Sequence, residues 1–357
     1  MTGAGQGNNP ARNGPVALAI WRDAGQSCGV MTSPIPAISS LASGGSPAAP
    51  EDPPACTVSA PRSGSGSGSG SGPILGPDLG PDMIMGLAAG YHAGDVRPFL
   101  ASLRTTGFTG RCVLFTSPTT RDTDRMAAMG ADILPFERPP ALAHLPYNAL
   151  RYFLYLDLLR QAPRPYDRIL ITDVRDVIFQ RDPFSFPWAD GLNVTLEDAR
   201  MTIGTCPYMT RWVAGHLGEA AWRALAGQRI SCSGTTVGGH GAILDYLERL
   251  TGLLLPFSPA PPPPPPSTPD GTPPPPTGMA GYDQGVHNHL LHGGHLPRVT
   301  VHDNAGPILT LGYKATPPDI DARGDILNDA GLPAVMVHQY DRMPELFRAV
   351  RARYAQG

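Results

Sequence analysis

Between residues 83 and 161 two hydrophobic periods alternate along the chain, and that alternation sets the fold class. MIMGLAAGY (83–91) is an unbroken apolar run closing on Gly and Tyr, the pattern of a strand buried on both faces. VRPFLASLRTTGF (96–108) puts Phe99, Leu100 and Leu103 on one helical face. GRCVLFTS (110–117) predicts a second strand, DTDRMAAMGA (122–131) a short helix and DILPFE (132–137) a third strand. This β-α-β-α-β order predicts parallel strands joined by right-handed crossovers. PYNALRYFLYLDLLRQ (146–161) predicts the clearest helix. Leu150, Phe153, Leu154 and Leu158 form its apolar stripe, and Arg151 and Tyr155 share another face.

YDRILITD (166–173) then predicts the central strand, with Asp173 emerging at its carboxyl end, where open α/β sheets bind ligands. Downstream, GLNVTLEDA (191–199) has strand character and RWVAGHLGEAAWRALAG (211–227) reads as one helix. Residues 230–250 read as a Ser/Gly/Thr loop leading into a helix, and 281–294 as the start of another. PAVMVHQYDRMPELFRAV (333–350) closes the pattern with a strand, a His-centred turn and a helix.

Composition divides the chain. Gly and Pro number 42 each, and they concentrate in residues 1–80, which include SGSGSGSGSG, and in PAPPPPPPSTPDGTPPPPTG at 259–278. Neither stretch has an apolar period, so neither buries enough surface to offset ordering entropy. The expectation is a disordered low-complexity region over 1–80. Residues 81–352 then form one α/β domain, with a disordered Pro-rich insertion at about 257–280.

The formal charge of −3 leaves no basic footprint for nucleic acid. Five cysteines without a CxxC pair argue against a disulfide framework or a structural zinc knuckle. No segment approaches the roughly 20 apolar residues of a membrane span, and no signal peptide or anchor is visible. Asn193-Val194-Thr195 matches the glycosylation acceptor triplet but sits in a strand-like run.

The chemistry concentrates where the central strand ends. Asp173-Val174-Arg175-Asp176 follows the apolar run, and carboxylates there suit a divalent cation. On an extended strand Asp173 and Arg175 would share a face and Asp176 would point away. Both acids reach one metal only if the chain turns after Asp173; otherwise one of them pairs with Arg175. Acids at a strand end also serve as caps and surface ion pairs. His338 follows the apolar PAVMV run and is either a core imidazole or a ligand. Asp283 is either a helix N-cap or a site carboxylate beside Gln284. Ser233-Gly234-Thr235 offers hydroxyls and a close backbone approach, and Arg151 is either solvent-exposed or a phosphate contact. The run His287, His289, His292, His295 lacks the i, i+4 pair with an adjacent Glu that a zinc hydrolase helix needs.

Five stretches in the same order, TDVRDVIFQRDPF, SCSGTTVGG, DQGVHNHLLH, ILTLGY (308–313) and VHQYDRMPEL, resemble a family of plant, algal and bacterial glycosyltransferases with the nucleotide-diphospho-sugar transferase (GT-A) fold. The likeness covers about 83–350, interrupted by the proline block. It implies a mixed, mostly parallel sheet flanked by helices and a sugar transferred from a nucleotide-diphosphate donor to a hydroxyl of a glycan or glycoprotein. It implies a Mn²⁺ or Mg²⁺ ion held by Asp173, Asp176 and His338. Donor contacts would come from Asp173, Arg175, Arg151, Ser233, Gly234 and Thr235, with Asp283 and Gln284 beside the reacting sugar. The spacing is D-x-x-D where that fold usually has D-x-D. The resemblance also implies a Golgi or secretory-lumen setting. The alternatives are a catalytically degenerate nucleotide-sugar or glycan binder of the same fold, and a zinc hydrolase built on the histidine run.

Overall fold

The computed structural model describes residues 82–255 and 281–355. The regions 1–80 and about 257–280, expected to be disordered, lie outside the described residues.

The N-terminal half follows the expected alternation: β1 (Met83–Leu87), α1 (Ala93–Thr105), β2 (Arg111–Thr116), α2 (Thr123–Ala128), β3 (Asp132–Pro135), α3 (Tyr147–Arg160) and β4 (Ile169–Thr172). After these come β5 (Val177–Phe179), β6 (Leu192–Leu196), α4 (Pro207–Leu217), α5 (Glu219–Leu225), β7 (Ser231–Gly238) and α6 (His240–Leu254). The chain resumes with α7 (Tyr282–His292), β8 (Val299–His302), β9 (Ile308–Thr310), β10 (Met336–His338) and α8 (Pro344–Arg353).

Seven strands form one sheet in the order β3-β2-β1-β4-β7-β6-β8. The first four are mutually parallel, β7 runs against both β4 and β6, and β8 is parallel to β6. The protein is thus an α/β molecule with a mixed, mostly parallel sheet flanked by helices. Side chains alternate across that sheet. Met83, Met85, Ile169 and Ile171 pack into a cluster with α3, α6 and α7, while Ile84, Leu114, Leu170 and Val237 join a second cluster with α1. A smaller sheet, β5-β10-β9, lies on the α1 side and covers a third cluster that includes Leu346 and Val350 of α8.

Several elements depart from the sequence pattern. Helix α1 begins at Ala93, earlier than expected, because His92 and Asp95 form a reciprocal capping box at its start. Pro98 has no N–H to donate to the carbonyl of Gly94, and Arg351 of α8 donates to that carbonyl instead. The helix expected over 211–227 is two helices, because Gly218 breaks it in the left-handed region at φ 91°.

The expected Ser/Gly/Thr loop is strand β7, fully buried between β4 and β6. Its two serine hydroxyls find partners on α7: Ser231 Oγ lies 2.9 Å from His287 Nε2, and Ser233 Oγ donates to Asp283 at 3.3 Å. The glycosylation triplet lies inside β6. Asn193 is 1% exposed and donates to the Ala189 carbonyl, so in the folded chain it is no acceptor for a glycan.

Candidate metal centre

Strand β4 ends at Thr172, and the chain bends over residues 174–176 before β5 begins. That bend answers the geometric question posed by the D-x-x-D spacing. Val174 turns into the core at 2% exposure, and Asp173 and Asp176 converge. The small sheet supplies the third member. β10 pairs with β5 in antiparallel register, His338 against Val177, and the Gln339 N–H donates to the Asp176 carbonyl at 2.8 Å. His338 Nε2 thereby comes to 3.4 Å from Asp173 Oδ2 and 4.0 Å from Asp176 Oδ1. One ligand atom from each of Asp173, Asp176 and His338 lies within 4.8 Å of the others. Among the described residues, these three side chains form the group able to hold a metal ion.

The donor set fits a divalent cation. His338 is fully buried, and its Nε2 has no hydrogen-bond partner while facing two carboxylates. Two carboxylates and an imidazole suit Mn²⁺ or Mg²⁺, the imidazole favouring Mn²⁺. On the other side of the ring, Nδ1 lies 3.7 Å from Cys232 Sγ, which orients the imidazole as outer-shell partners of metal-bound histidines do. Gln339, in the left-handed region at φ 60°, turns the chain immediately after His338. Its side chain accepts from Thr310 Oγ1 at 2.9 Å and fills space left by Gly312 of the ILTLGY stretch.

Burial opposes charge on Asp173, but the Arg151 guanidinium and His338 hold its carboxyl well below the ordinary carboxylate range. Burial lifts Asp176 to about 6, and the charge of Asp173 adds to the lift against the pull of His338. The two acids therefore differ although they share a site. Burial also disfavours charge on His338, yet Cys232, Asp173 and Asp176 raise its affinity for a proton, which a bound metal would displace.

Gly234 of β7 lies directly against the cluster. The Asp173 N–H donates to the Gly234 carbonyl at 2.8 Å, and a Cβ on Gly234 would meet Asp173 Oδ2 and His338 Cε1, each at 2.6 Å. The β6–β7 register breaks here: Val194 pairs with Thr236 and Leu196 with Ser231, so Cys232–Thr235 together face Thr195. Such irregularities re-aim side chains beside sites. Gly234→Ala is expected to weaken Mn²⁺ binding by roughly 10- to 100-fold, as losing an outer-shell partner does. Calorimetry with MnCl₂ checks it, and an affinity equal to the parent's would contradict the packing argument.

The remaining expected residues have distinct positions. Arg151 is buried, not solvent-exposed. It ion-pairs with Asp173, lies 3.3 Å from Asp283 Oδ2, and donates to Tyr152 Oη at 3.0 Å. Asp283 is not the helix N-cap, which is Gly281. It is 2% exposed, with Oδ1 accepting from Asn148 at 2.6 Å and Oδ2 reached by Arg151, Tyr152 and Ser233. Gln284 neighbours Cys232 at 3.8 Å. Thr235 pairs with Thr172 in the sheet, its hydroxyl buried without a partner. Arg175 pairs with Asp341 at 3.5 Å. The chain turns after Asp173, so the alternative in which one site acid pairs with Arg175 does not arise.

The histidine run forms no zinc site. His287 is buried between Ser231 and Tyr246, and burial pushes it down to about 3. His292 Nε2 meets the Arg229 carbonyl at 2.8 Å, and the His289 and His295 rings lie tilted against each other with centroids 4.9 Å apart.

Two nearby residues escaped sequence reasoning. Tyr91, just past β1, feels the charges of Asp173 and Asp176, and burial first of all lifts its phenol to about 12. Glu197, just past β6, is 1% exposed; Oε1 accepts from Gln284 at 3.5 Å and Oε2 has no hydrogen-bond partner. Burial lifts its carboxyl from 4.5 to about 7, against the opposing pull of His338, Cys232, Gln284 and Arg342. The native chain thus retains a proton that the unfolded chain releases between those values. The stability this confers is full below about 4.5 and is lost as pH rises through 7. Glu197→Gln, which cannot ionise, should match the parent near pH 4.5 and exceed it at pH 8 by about 3 kcal/mol. Urea unfolding at the two pH values measures this difference.

No protein-family model matches the chain, and no curated protein matches it. No helix among the described residues is long and apolar enough to cross a membrane. A cavity of about 750 Å³ lies at the opposite end of the sheet, lined by residues such as Asp190, His240 and Arg298, and holds none of the cluster residues. The site is therefore defined by its side-chain chemistry.

Proposed function

We propose that this protein is a metal-dependent glycosyltransferase of the GT-A kind, moving a sugar from a nucleotide-diphosphate donor to a hydroxyl of a glycan or glycoprotein. The observation that carries the reading is the unpartnered, buried Nε2 of His338 facing Asp173 and Asp176 at the carboxyl edge of a mostly parallel sheet. Two carboxylates and an imidazole leave coordination positions for phosphate oxygens. The order of the five resembling stretches supports the same reading.

A Mn²⁺ or Mg²⁺ ion bound by Asp173, Asp176 and His338 would neutralise charge developing on the departing diphosphate. The chain's own residues do the rest. Arg151 keeps Asp173 ionised and locked in place, and Asp283 holds Arg151 from the other side. Arg342 adds positive charge that reaches Asp176 and Glu197. Gly234 leaves the backbone bare beside the acids, where a donor can approach closely. Asp283 has both oxygens engaged, which suits it to positioning more than to taking a proton. That same engagement favours one second reading, a catalytically degenerate binder of nucleotide sugars or glycans.

A thermal-shift screen of UDP, GDP and their sugars, with and without Mn²⁺, tests the proposal. Ligand at 100 times Kd adds about 2.7 kcal/mol of stability, so a Mn²⁺-dependent rise in melting temperature is expected with one nucleotide class. If no nucleotide shifts the transition with Mn²⁺ present, the transferase reading fails. Binding without turnover of any donor leaves the binder.

A further inference from the structure

Glu197 lies near His338 and Cys232, which both act on its carboxyl. Cys232 Sγ touches His338 Nδ1 at 3.7 Å, Gln284 Oε1 at 3.8 Å and Gln339 Nε2 at 3.9 Å, so one thiol links the metal-facing imidazole to the side of the site where Glu197 lies. Glu197 reaches that side because its N–H donates to the Ile230 carbonyl at 2.8 Å, which aligns it just before Cys232 in the neighbouring strand. The Arg229 side chain donates to the Glu197 carbonyl at 2.7 Å and fixes the backbone further.

The carboxyl so fixed is half used. Gln284 Nε2 takes Oε1, and Oε2 is buried with no partner. An unpaired buried carboxyl oxygen is costly unless something donates to it. Asp283, the acid expected beside the reacting sugar, offers no such opening, since both its oxygens are engaged. Tyr313, half-buried with its hydroxyl 3.1 Å from Cys206 Sγ, packs close enough for the charge of Glu197 to act on it. The groups facing Glu197 are therefore His338 from β10, Cys232 from β7, Gln284 from α7, Arg342 after β10 and Tyr313 after β9.

We propose that Glu197, steadied by Gln284, seats a hydroxyl of the acceptor sugar, its Oε2 receiving the hydroxyl's hydrogen bond. The inference rests on the transferase reading and assigns the acceptor side of the site, as Asp173, Asp176 and His338 assign the donor side. The ligand class is a neutral, hydroxyl-bearing sugar. The carboxyl's lifted affinity for protons fits that partner, because either protonation state exchanges a hydrogen bond with a hydroxyl. A second cation is a poor fit here, since Glu197 is not among the groups close enough to share a metal.

The test uses the full chain as parent, Glu197→Gln and Glu197→Ala. Calorimetry first measures UDP and GDP binding with Mn²⁺. Ligand-observed NMR then measures binding of methyl and nitrophenyl glycosides to protein loaded with Mg²⁺ and the nucleotide that bound. Expected are nucleotide affinities within about twofold of the parent and, in Glu197→Ala, glycoside affinity reduced roughly 10- to 100-fold, the size of a hydrogen bond to a charged group. Glu197→Gln should lie between, because its amide still offers an oxygen. Glycoside binding unchanged in both variants, or a parallel loss of nucleotide binding, overturns the role of Glu197 while leaving the metal reading intact. A parent that binds nucleotide but none of the glycosides overturns the acceptor assignment. A parent that binds no nucleotide with Mn²⁺ overturns both readings at once.

Discussion

Arg151→Met is expected to lower the melting temperature of the metal-free protein by about 6 to 20 °C. Arg151 is buried and lies between Asp173 and Asp283, with Asp283 itself 3% exposed at the side chain. Methionine fills similar volume, so the loss is electrostatic. Removing one partner of a buried pair costs about 3–5 kcal/mol because the other charge is left without compensation, and each kcal/mol moves the transition by roughly 2–4 °C in a domain of this size. Burial already raises the Asp283 carboxyl against the opposing pull of Arg151. Without Arg151 it rises further, so the deficit should be largest at pH 8 and shrink as acid protonates Asp283. Arg151→Lys keeps the charge but loses the fork that reaches two carboxylates, and should fall between. Calorimetric melting at pH 5 and 8 measures all of this. A transition within about 2 °C of the parent's at pH 8 would mean that the ion pairs carry no stability.

The contrast between Arg151 and Asp173 shows what the sequence made legible. Asp173 was readable because a strand's period and direction place its last residue at the sheet's carboxyl edge, and β4 needs only three apolar residues to declare itself. Arg151 was not readable in the same way. Its helix is buried nearly all round, with Arg151, Tyr152 and Tyr155 inward beside Leu150 and Leu154, so the stripe that periodicity finds does not mark one buried face. Strand β7 was missed because Ser, Gly and Thr are turn-prone in isolation. Their burial depends on α7 side chains some fifty positions away, such as Asp283 to Ser233 and His287 to Ser231. Glu197 carried no local signal at all; its importance comes from an oxygen left unpartnered after three distant elements close around it. The convergence of Asp176 with Asp173 was legible only as a condition, that the chain turn after Asp173. The pairing of β5 with β10, which imposes that turn, joins segments about 160 residues apart.

Asp176→Asn separates the metal role from the structural one most cleanly. Asparagine keeps the size and the bend, and the backbone bond from the Gln339 N–H to the residue 176 carbonyl is untouched. What goes is one of three candidate ligand groups and one of two like charges. Burial and the charge of Asp173 lift the Asp176 carboxyl to about 6, so in the metal-free chain its ionised form at pH 7.5 opposes folding. Because the folded pKa is raised, the stability linked to its proton is present below the ordinary value of 3.8 and lost as pH passes 6. The neutral variant should therefore melt at or above the parent's temperature at pH 7.5. Binding of Mn²⁺ with nucleotide should move the opposite way, falling at least about 100-fold, since loss of even an outer-shell partner reaches that size. His338→Ala makes a poorer probe, because the imidazole is fully buried and its removal leaves a cavity that destabilises the chain whether or not a metal binds. A variant that binds Mn²⁺ and nucleotide like the parent would remove Asp176 from the ligand set. A variant that melts many degrees lower would show the carboxylate holding the bend, with no need of a metal to explain it.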